Sequence, residues 1–247
     1  MSDWLARFDM TIPEHTAKAF DADLAAVAKQ VSEMADRVER QLADAVESLE
    51  DLDVEKAQSV IEADAAIDEL QREIEDRAIL TIARRQPMAV DLREVVGALR
   101  VANDLERIGD LSKNIGKRVL AIKDESERRA LLRGVGKMSK LAQIQFRDVM
   151  DAYLDRDVER ALEVWKGDEK LDSMTNSLLR EFLTYMMEDP RNITICIHLI
   201  FCIKNLERIG DHATNIAEIV YFIVKGETLD DERPKGDTTD FVPADER

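Results

Sequence analysis

The sequence predicts an all-α protein, two tandem three-helix up-and-down bundles made from six long helices. Two observations lead there. Only 9 Gly and 5 Pro occur in 247 residues, while good helix formers such as Ala, Leu, Glu, Lys and Arg are abundant, so the chain has few places to break. The chain also repeats itself. Asp53-Val54-Glu55-Lys56-Ala57 returns as Asp157-Val158-Glu159-Arg160-Ala161, and Leu105-Glu106-Arg107-Ile108-Gly109-Asp110 returns as Leu206-Glu207-Arg208-Ile209-Gly210-Asp211. A repeat at this period means two copies of one supersecondary unit.

The breaks define the elements in order. The first helix runs from about residue 15 to about 50 and ends in the break at Leu49 to Asp53. The second spans about 54 to 85 and stops at Gln86-Pro87, because proline has no N–H to donate and restricts the residue before it. The third, about 89 to 122, ends near Lys123 to Ser126; the fourth, about 126 to 154, ends at Asp155 to Asp157. The fifth, about 157 to 188, ends at Asp189-Pro190, and the sixth, about 191 to 225, ends at Gly226. Long helices with short connections pack as antiparallel neighbours. We therefore expect an N-terminal extension over 1–14, a first bundle over 15–123, a second over 124–226, and an acidic disordered tail over 227–247.

The formal charge of -17 and pI near 4.7 argue against nucleic acid as a partner, since binding a phosphate backbone needs clustered Lys and Arg. The run Arg128, Arg129, Arg133, Lys137 and Lys140 reads as a solvated helix face. Cys196 and Cys202, the only cysteines, lie in an apolar stretch with neither redox nor zinc spacing, and so read as core thiols of a reducing compartment. The stretch Ile193 to Ile203 is too short to span a bilayer. No apolar targeting core opens the chain. Together these predict a cytoplasmic protein that meets a membrane only indirectly.

Carboxylates carry the chemistry. The apolar seam of the second helix reads Ala57, Val60, Asp64, Ile67, Gln71, Ile74, Ala78, and that of the fifth reads Ala161, Val164, Asp168, Leu171, Thr175, Leu178, Phe182. Each puts an aspartate where packing asks for an apolar group. Asp68 and Asp172 follow one turn later, and like charges at that spacing oppose the helix by a few tenths of a kcal/mol, about 0.2–0.5. In the third helix the stripe Val101, Leu105, Ile108, Ser112, Ile115, Val119 flanks Asn103, Glu106, Asp110, Asn114. In the sixth, Cys202, Leu206, Ile209, Ala213, Ile216, Val220 flank Lys204, Glu207, Asp211, Asn215, with Glu218 beyond. Gly109 and Gly210 lie between the paired acids and allow a neighbour or an ion to come close.

Half-buried carboxylates either take up protons or admit a cation. Oxygen-only ligands favour hard ions: magnesium, manganese, calcium or ferric iron. The competing reading is a solvated salt-bridge lattice with Arg107, Arg208 and Lys113. None of His15, His198 or His212 follows an acid by three residues, which departs from the Glu-x-x-His pattern of di-iron bundles. His212 reads as a surface or core histidine. No nucleophile–base pair or phosphate loop can be assembled, so a metal-dependent phosphoester hydrolase remains the alternative function.

These motifs, with His15-Thr16-Ala17-Lys18-Ala19-Phe20-Asp21, resemble the PhoU family of phosphate-transport regulators from about residue 10 to 226. The resemblance implies a nonenzymatic protein with two three-helix bundles that hold metal ions (iron, zinc, manganese or magnesium). By position it implies the ligands Asp64, Asp68, Glu106, Asp110, Asp168, Asp172, Glu207 and Asp211, with Asn114 and Asn215 as ligands or supporting groups. It further implies a homodimer that restrains phosphate uptake and represses the phosphate-starvation response. The implied partners are the ATPase subunit of the phosphate ABC transporter and a phosphate-sensing histidine kinase.

Overall fold

A computed structural model describes residues 18–123 and 131–229. It contains α1 (Lys18–Asp51), α2 (Val54–Arg85), α3 (Val90–Ile122), α4 (Leu132–Asp155), α5 (Val158–Glu188) and α6 (Ile193–Lys225), with a 3-10 turn over Pro190–Asn192 and no strand among the described residues. The all-α expectation is met. The expectations for residues 1–14, for the helix starts near 15 and 126, and for the tail beyond residue 229 lie outside the described residues.

The repeated sequence at Asp53 and Asp157 is a repeated cap. Asp53 Oδ1 accepts from Lys56 N and Asp157 Oδ1 from Arg160 N, both at 3.0 Å, so each satisfies an N–H that the helix start leaves without a partner. α2 and α4 end on left-handed residues, Gln86 (φ 49°) and Arg156 (φ 57°), and α6 ends on Gly226 (φ 79°). At Gly226 the absent side chain makes that conformation inexpensive. Pro190 has no N–H and starts the 3-10 turn, which delays α6 by about two residues relative to its expected start.

α1, α2 and α3 pack on one another, as do α4, α5 and α6, and α3 lies antiparallel against α6 along the centre. The antiparallel sense is fixed at both ends. Arg93 near the start of α3 donates from Nε to Ile223 O near the end of α6 (3.2 Å), while Arg118 near the end of α3 sits 4.5 Å from the centroid of the Phe201 ring near the start of α6. One continuous apolar core, from Val27 to Ile223, runs through both repeats. Arg147 to Glu39 (2.9 Å) and Arg156 to Glu94 (2.9 Å) add polar ties between the halves.

The expected seams are buried with one exception. Gln71 is half-buried, and Leu70 is buried in its place. A strict seven-residue pattern drifts by about 20° per heptad on a straight helix, so the true stripe widens toward Leu70 while the amide keeps to the wet edge. Arg133, Lys137 and Lys140 are exposed, as a solvated face requires. No described helix is long and apolar enough to cross a membrane.

Candidate metal centre

The fold brings each pair of acid motifs together. In the first repeat α2 and α3 are adjacent and their small residues let the backbones approach. A Cβ added at Gly109 would lie 3.3 Å from Ile67 Cδ1 and 3.2 Å from Gln41 Oε1. Asp64 is 5% exposed, Asp68, Glu106 and Asp110 are half-buried, and the four meet along the α2–α3 groove. Burial, partly opposed by Arg107 and reinforced by Asp110 and Asp68, pushes the Glu106 carboxyl above the usual glutamate value.

This first cluster already contains a cation. The Lys113 ammonium donates to Asp110 Oδ1 at 2.5 Å and to Asp64 Oδ2, and so joins α3 to α2. Burial works against its charge, but its hydrogen bonds to Asp110 and Asp64, with the charges of both carboxylates, outweigh that cost and raise Lys113 above the ordinary lysine value. Arg107 Nε adds a 3.3 Å contact to Glu106. Gln41, from α1, donates to Val60 O (3.1 Å) and Asp64 Oδ1 (3.4 Å). Asn114 is not among these contacts; its Oδ1 is 3.5 Å from Lys117 Nζ. The salt-bridge lattice weighed from the sequence is therefore formed here, by Lys113 and Arg107.

The second cluster is built differently. Asp168 is 1% and Asp172 8% exposed, and Glu207 and Asp211 face them from α6. Burial pushes Glu207 above the usual value; Lys204 lowers it and Asp172 and Asp211 raise it. Lys204 reaches Glu207 from the exposed rim at 2.7 Å. A Cβ on Gly210 would lie 2.8 Å from Leu171 Cδ2, 3.0 Å from Asp168 Oδ1 and 3.2 Å from Gln145 Oε1. The missing side chain thus leaves a cradle where these groups converge. Gln145 is 5% exposed, and neither its Oε1 nor its Nε2 has a hydrogen-bond partner. A buried amide without partners is costly, about 1–3 kcal/mol, and its oxygen is suited to a hard cation.

Asn215 lies elsewhere. Its Nδ2 donates to Asp104 Oδ1 (3.2 Å), the same oxygen that His212 Nδ1 meets at 2.8 Å, beside a groove of about 500 Å³ between α3 and α6. The sequence reading missed Asp104, Gln41 and Gln145. Asp104 hid inside the repeated motif, where its counterpart Asn205 is neutral. Gln41 and Gln145 recur at matching places in α1 and α4, a signal that was present and went unused.

By residue type the second cluster fits a hard cation: four carboxylates, a partnerless amide and a glycine cradle. Among the described residues, no three Asp, Glu, His or Cys groups already converge on a single point. An ion held there would have to draw Asp168, Asp172, Glu207 and Asp211 closer together.

A PhoU domain profile matches residues 31–119 and again 135–220, which gives each repeat its own match. A phosphate-specific transport system accessory protein PhoU homolog of Rhizobium meliloti is 49% identical over 225 residues, covering 91% of this chain and 95% of the relative. The Caulobacter vibrioides homolog is likewise 49% identical, over 224 residues, covering 91% and 97%. The crystal structure of PhoU from Pseudomonas aeruginosa superposes with a TM-score of 0.80 at 38% identity, covering 84% of this chain and all of that one. The phosphate transport system regulatory protein PhoU from Streptococcus pneumoniae gives 0.78 at 28% identity, covering 85% and 99%. With both repeats matched and relatives 49% identical over nearly their whole length, the chain belongs to the PhoU family.

Proposed function

We propose that this protein is a nonenzymatic accessory regulator of phosphate transport. It works in the cytoplasm as a homodimer, restrains the phosphate ABC transporter through its ATPase subunit, and couples uptake to a phosphate-sensing histidine kinase. The observation that carries the reading is the match of both repeats, over nearly the full length of relatives named as transport accessory proteins, with Glu106-Arg107-Ile108-Gly109-Asp110 and Glu207-Arg208-Ile209-Gly210-Asp211 each inside a matched span. Metal held by the eight carboxylates would brace the helices that present the surface to partners.

The surface suits an adaptor. Leu183, Met187, Ile193, Ile197 and Phe201 are exposed around the α5–α6 turn, and Ile79, Leu80, Met88, Val90 and Leu92 around the α2–α3 turn. Apolar side chains gathered at two tips are more than scattered surface residues.

Deleting the protein should release phosphate-responsive reporter expression in phosphate-replete cells; repression that persists unchanged would overturn the reading. Turnover of a phosphoester by the metal-loaded protein, abolished by Glu106→Ala, would instead establish a hydrolase.

A further inference from the structure

α3 and α6 together carry nine Lys and Arg against eight Asp and Glu, in a chain whose formal charge is -17. The two central helices are close to neutral, and the excess of acid lies around them. Which way the charges face matters more than their number. The charged side chains that α3 and α6 expose are all cations: Arg100, Arg107, Lys117, Lys204, Arg208 and Lys225. The carboxylates of both helices are buried or half-buried, and several are visibly engaged. His212 and Asn215 hold Asp104, Lys113 holds Asp110, Lys204 holds Glu207, and Trp165 Nε1 donates to Glu218.

α1 and α4 pack on each other and cover one side of the α3–α6 pair, so the exposed cations lie on the opposite, open side. Arg107 and Arg208 hold the same place in the two repeated motifs. Each is one turn from the Asp104–His212 tie, which brings them to one level of the antiparallel pair. Toward the two ends Arg100 lies 5.8 Å from the Phe222 ring and Arg118 4.5 Å from the Phe201 ring. Asn103, on the rim of the groove between the helices, adds an exposed amide able to donate to a carboxylate.

We propose that the open α3–α6 face docks an acidic segment of a partner protein, read by Arg100, Arg107, Lys117, Lys204 and Arg208. The inference rests on the adaptor reading above and adds where a partner sits and which sign of charge it presents. A strip of one sign on a molecule of the other steers and orients a complementary partner. On either side α2 and α5 expose Glu62, Glu69, Glu73, Glu163 and Glu169. These acids repel a broad polyanion such as a bilayer or a nucleic acid duplex, whereas a narrow acidic segment can lie between them.

Full-length protein titrated with the purified ATPase subunit of the phosphate transporter, and with the full-length sensor kinase in detergent, tests this. Wild type should bind at least one of them, less tightly as ionic strength rises. Arg100→Glu/Arg208→Glu should weaken that binding about tenfold or more. The neutral pair Arg100→Gln/Arg208→Gln should lose less in the same direction, and decides if the reversal does not fold. Lys137→Glu/Lys140→Glu, on α4 across the molecule, should bind as wild type does. Unchanged binding by both α3–α6 variants, or equal weakening by the α4 variant, would overturn the surface and leave the adaptor reading standing. Vesicles of phosphatidylcholine and phosphatidylserine bound by wild type and released by the reversal would assign the face to lipid, and a change from dimer to monomer would assign it to a second copy; either overturns the proposal. No binding of wild type to ATPase or kinase would overturn both readings.

Discussion

Asp104 on α3 and His212 on α6 meet at 2.8 Å, the shortest polar tie described between the two antiparallel central helices, with Asn215 donating to the same oxygen at 3.2 Å. Asp104 is 7% exposed, so its carboxylate is desolvated and depends on these donors. Asp104→Ala would leave both half-buried donors without their acceptor, at a cost near the lower end of about 1–3 kcal/mol. Asp104→Asn keeps an acceptor oxygen and should lose less. Urea unfolding of both variants checks the order; an alanine variant as stable as wild type would remove this contact from the account of how the repeats hold together.

Lys113 and Asp64 should show strong coupling. Removing the ammonium leaves a 5% exposed aspartate beside Asp110, and breaking a buried pair from one side costs about 3–5 kcal/mol. Because Lys113 is partly exposed, we expect about 2–3 kcal/mol for Lys113→Met after allowing for solvent screening. In Asp64→Asn/Lys113→Met most of that loss should return, since the stranded charge is gone. A double-mutant cycle reads the coupling directly, and an additive result would mean that water or Arg107 already neutralises Asp64.

The fold was legible because its signals are local and repeated. Pro87, Pro190 and Gly226 mark breaks, Asp53 and Asp157 mark starts, and the buried faces of α3, α5 and α6 follow from helical period alone. That Asp64 and Asp168 point inward was legible for the same reason: period fixes the face of a residue. What lies opposite that face was not. Gln41 and Gln145 reach the clusters from α1 and α4, and Asp104 meets His212 across 108 residues. Such pairings depend on which helices are neighbours, and periodicity within one helix is silent about that. Lys113 could be seen as a neighbour of the acids, yet only the packing of α2 on α3 shows that it bridges them.

Ala89 caps α3 with φ 51° and ψ −113°, a region that an alanine side chain resists. Such strain costs of order 1–3 kcal/mol, whereas glycine would cost about 0.4–1 kcal/mol through the greater freedom it gives the unfolded chain. Relief should win. Ala89→Gly is expected to stabilise by about 1 kcal/mol, visible as a higher thermal midpoint; a lower midpoint would mean that the backbone relaxes without help.

Both thiols should be silent in the folded protein. Cys196 and Cys202 are fully covered, and burial pushes the Cys202 thiol up to about 12, with Arg118 pulling weakly the other way. The thiolate is the nucleophile, so a disulfide reagent at mildly alkaline pH should react with neither cysteine until denaturant is added, and then with both. Rapid labelling of native protein would show that the start of α6 opens locally.

His198 supplies a pH dependence of definite sign. It lies on α6 with Nδ1 buried and without a hydrogen-bond partner, and burial together with the nearby Arg118 charge lowers its pKa below the usual 6.5. Above that value the histidine is neutral in both folded and unfolded chains and contributes nothing to the slope. As pH falls through 6.5, the unfolded chain takes its proton first, so stability drops, and the drop levels off once the folded histidine also titrates. His198→Gln removes this proton uptake. Its thermal midpoint should therefore fall less than that of wild type between neutral and mildly acidic pH, while the carboxylates contribute equally to both. Parallel pH profiles for the two proteins would show that His198 reaches water in the native state and that Arg118 is turned away from it.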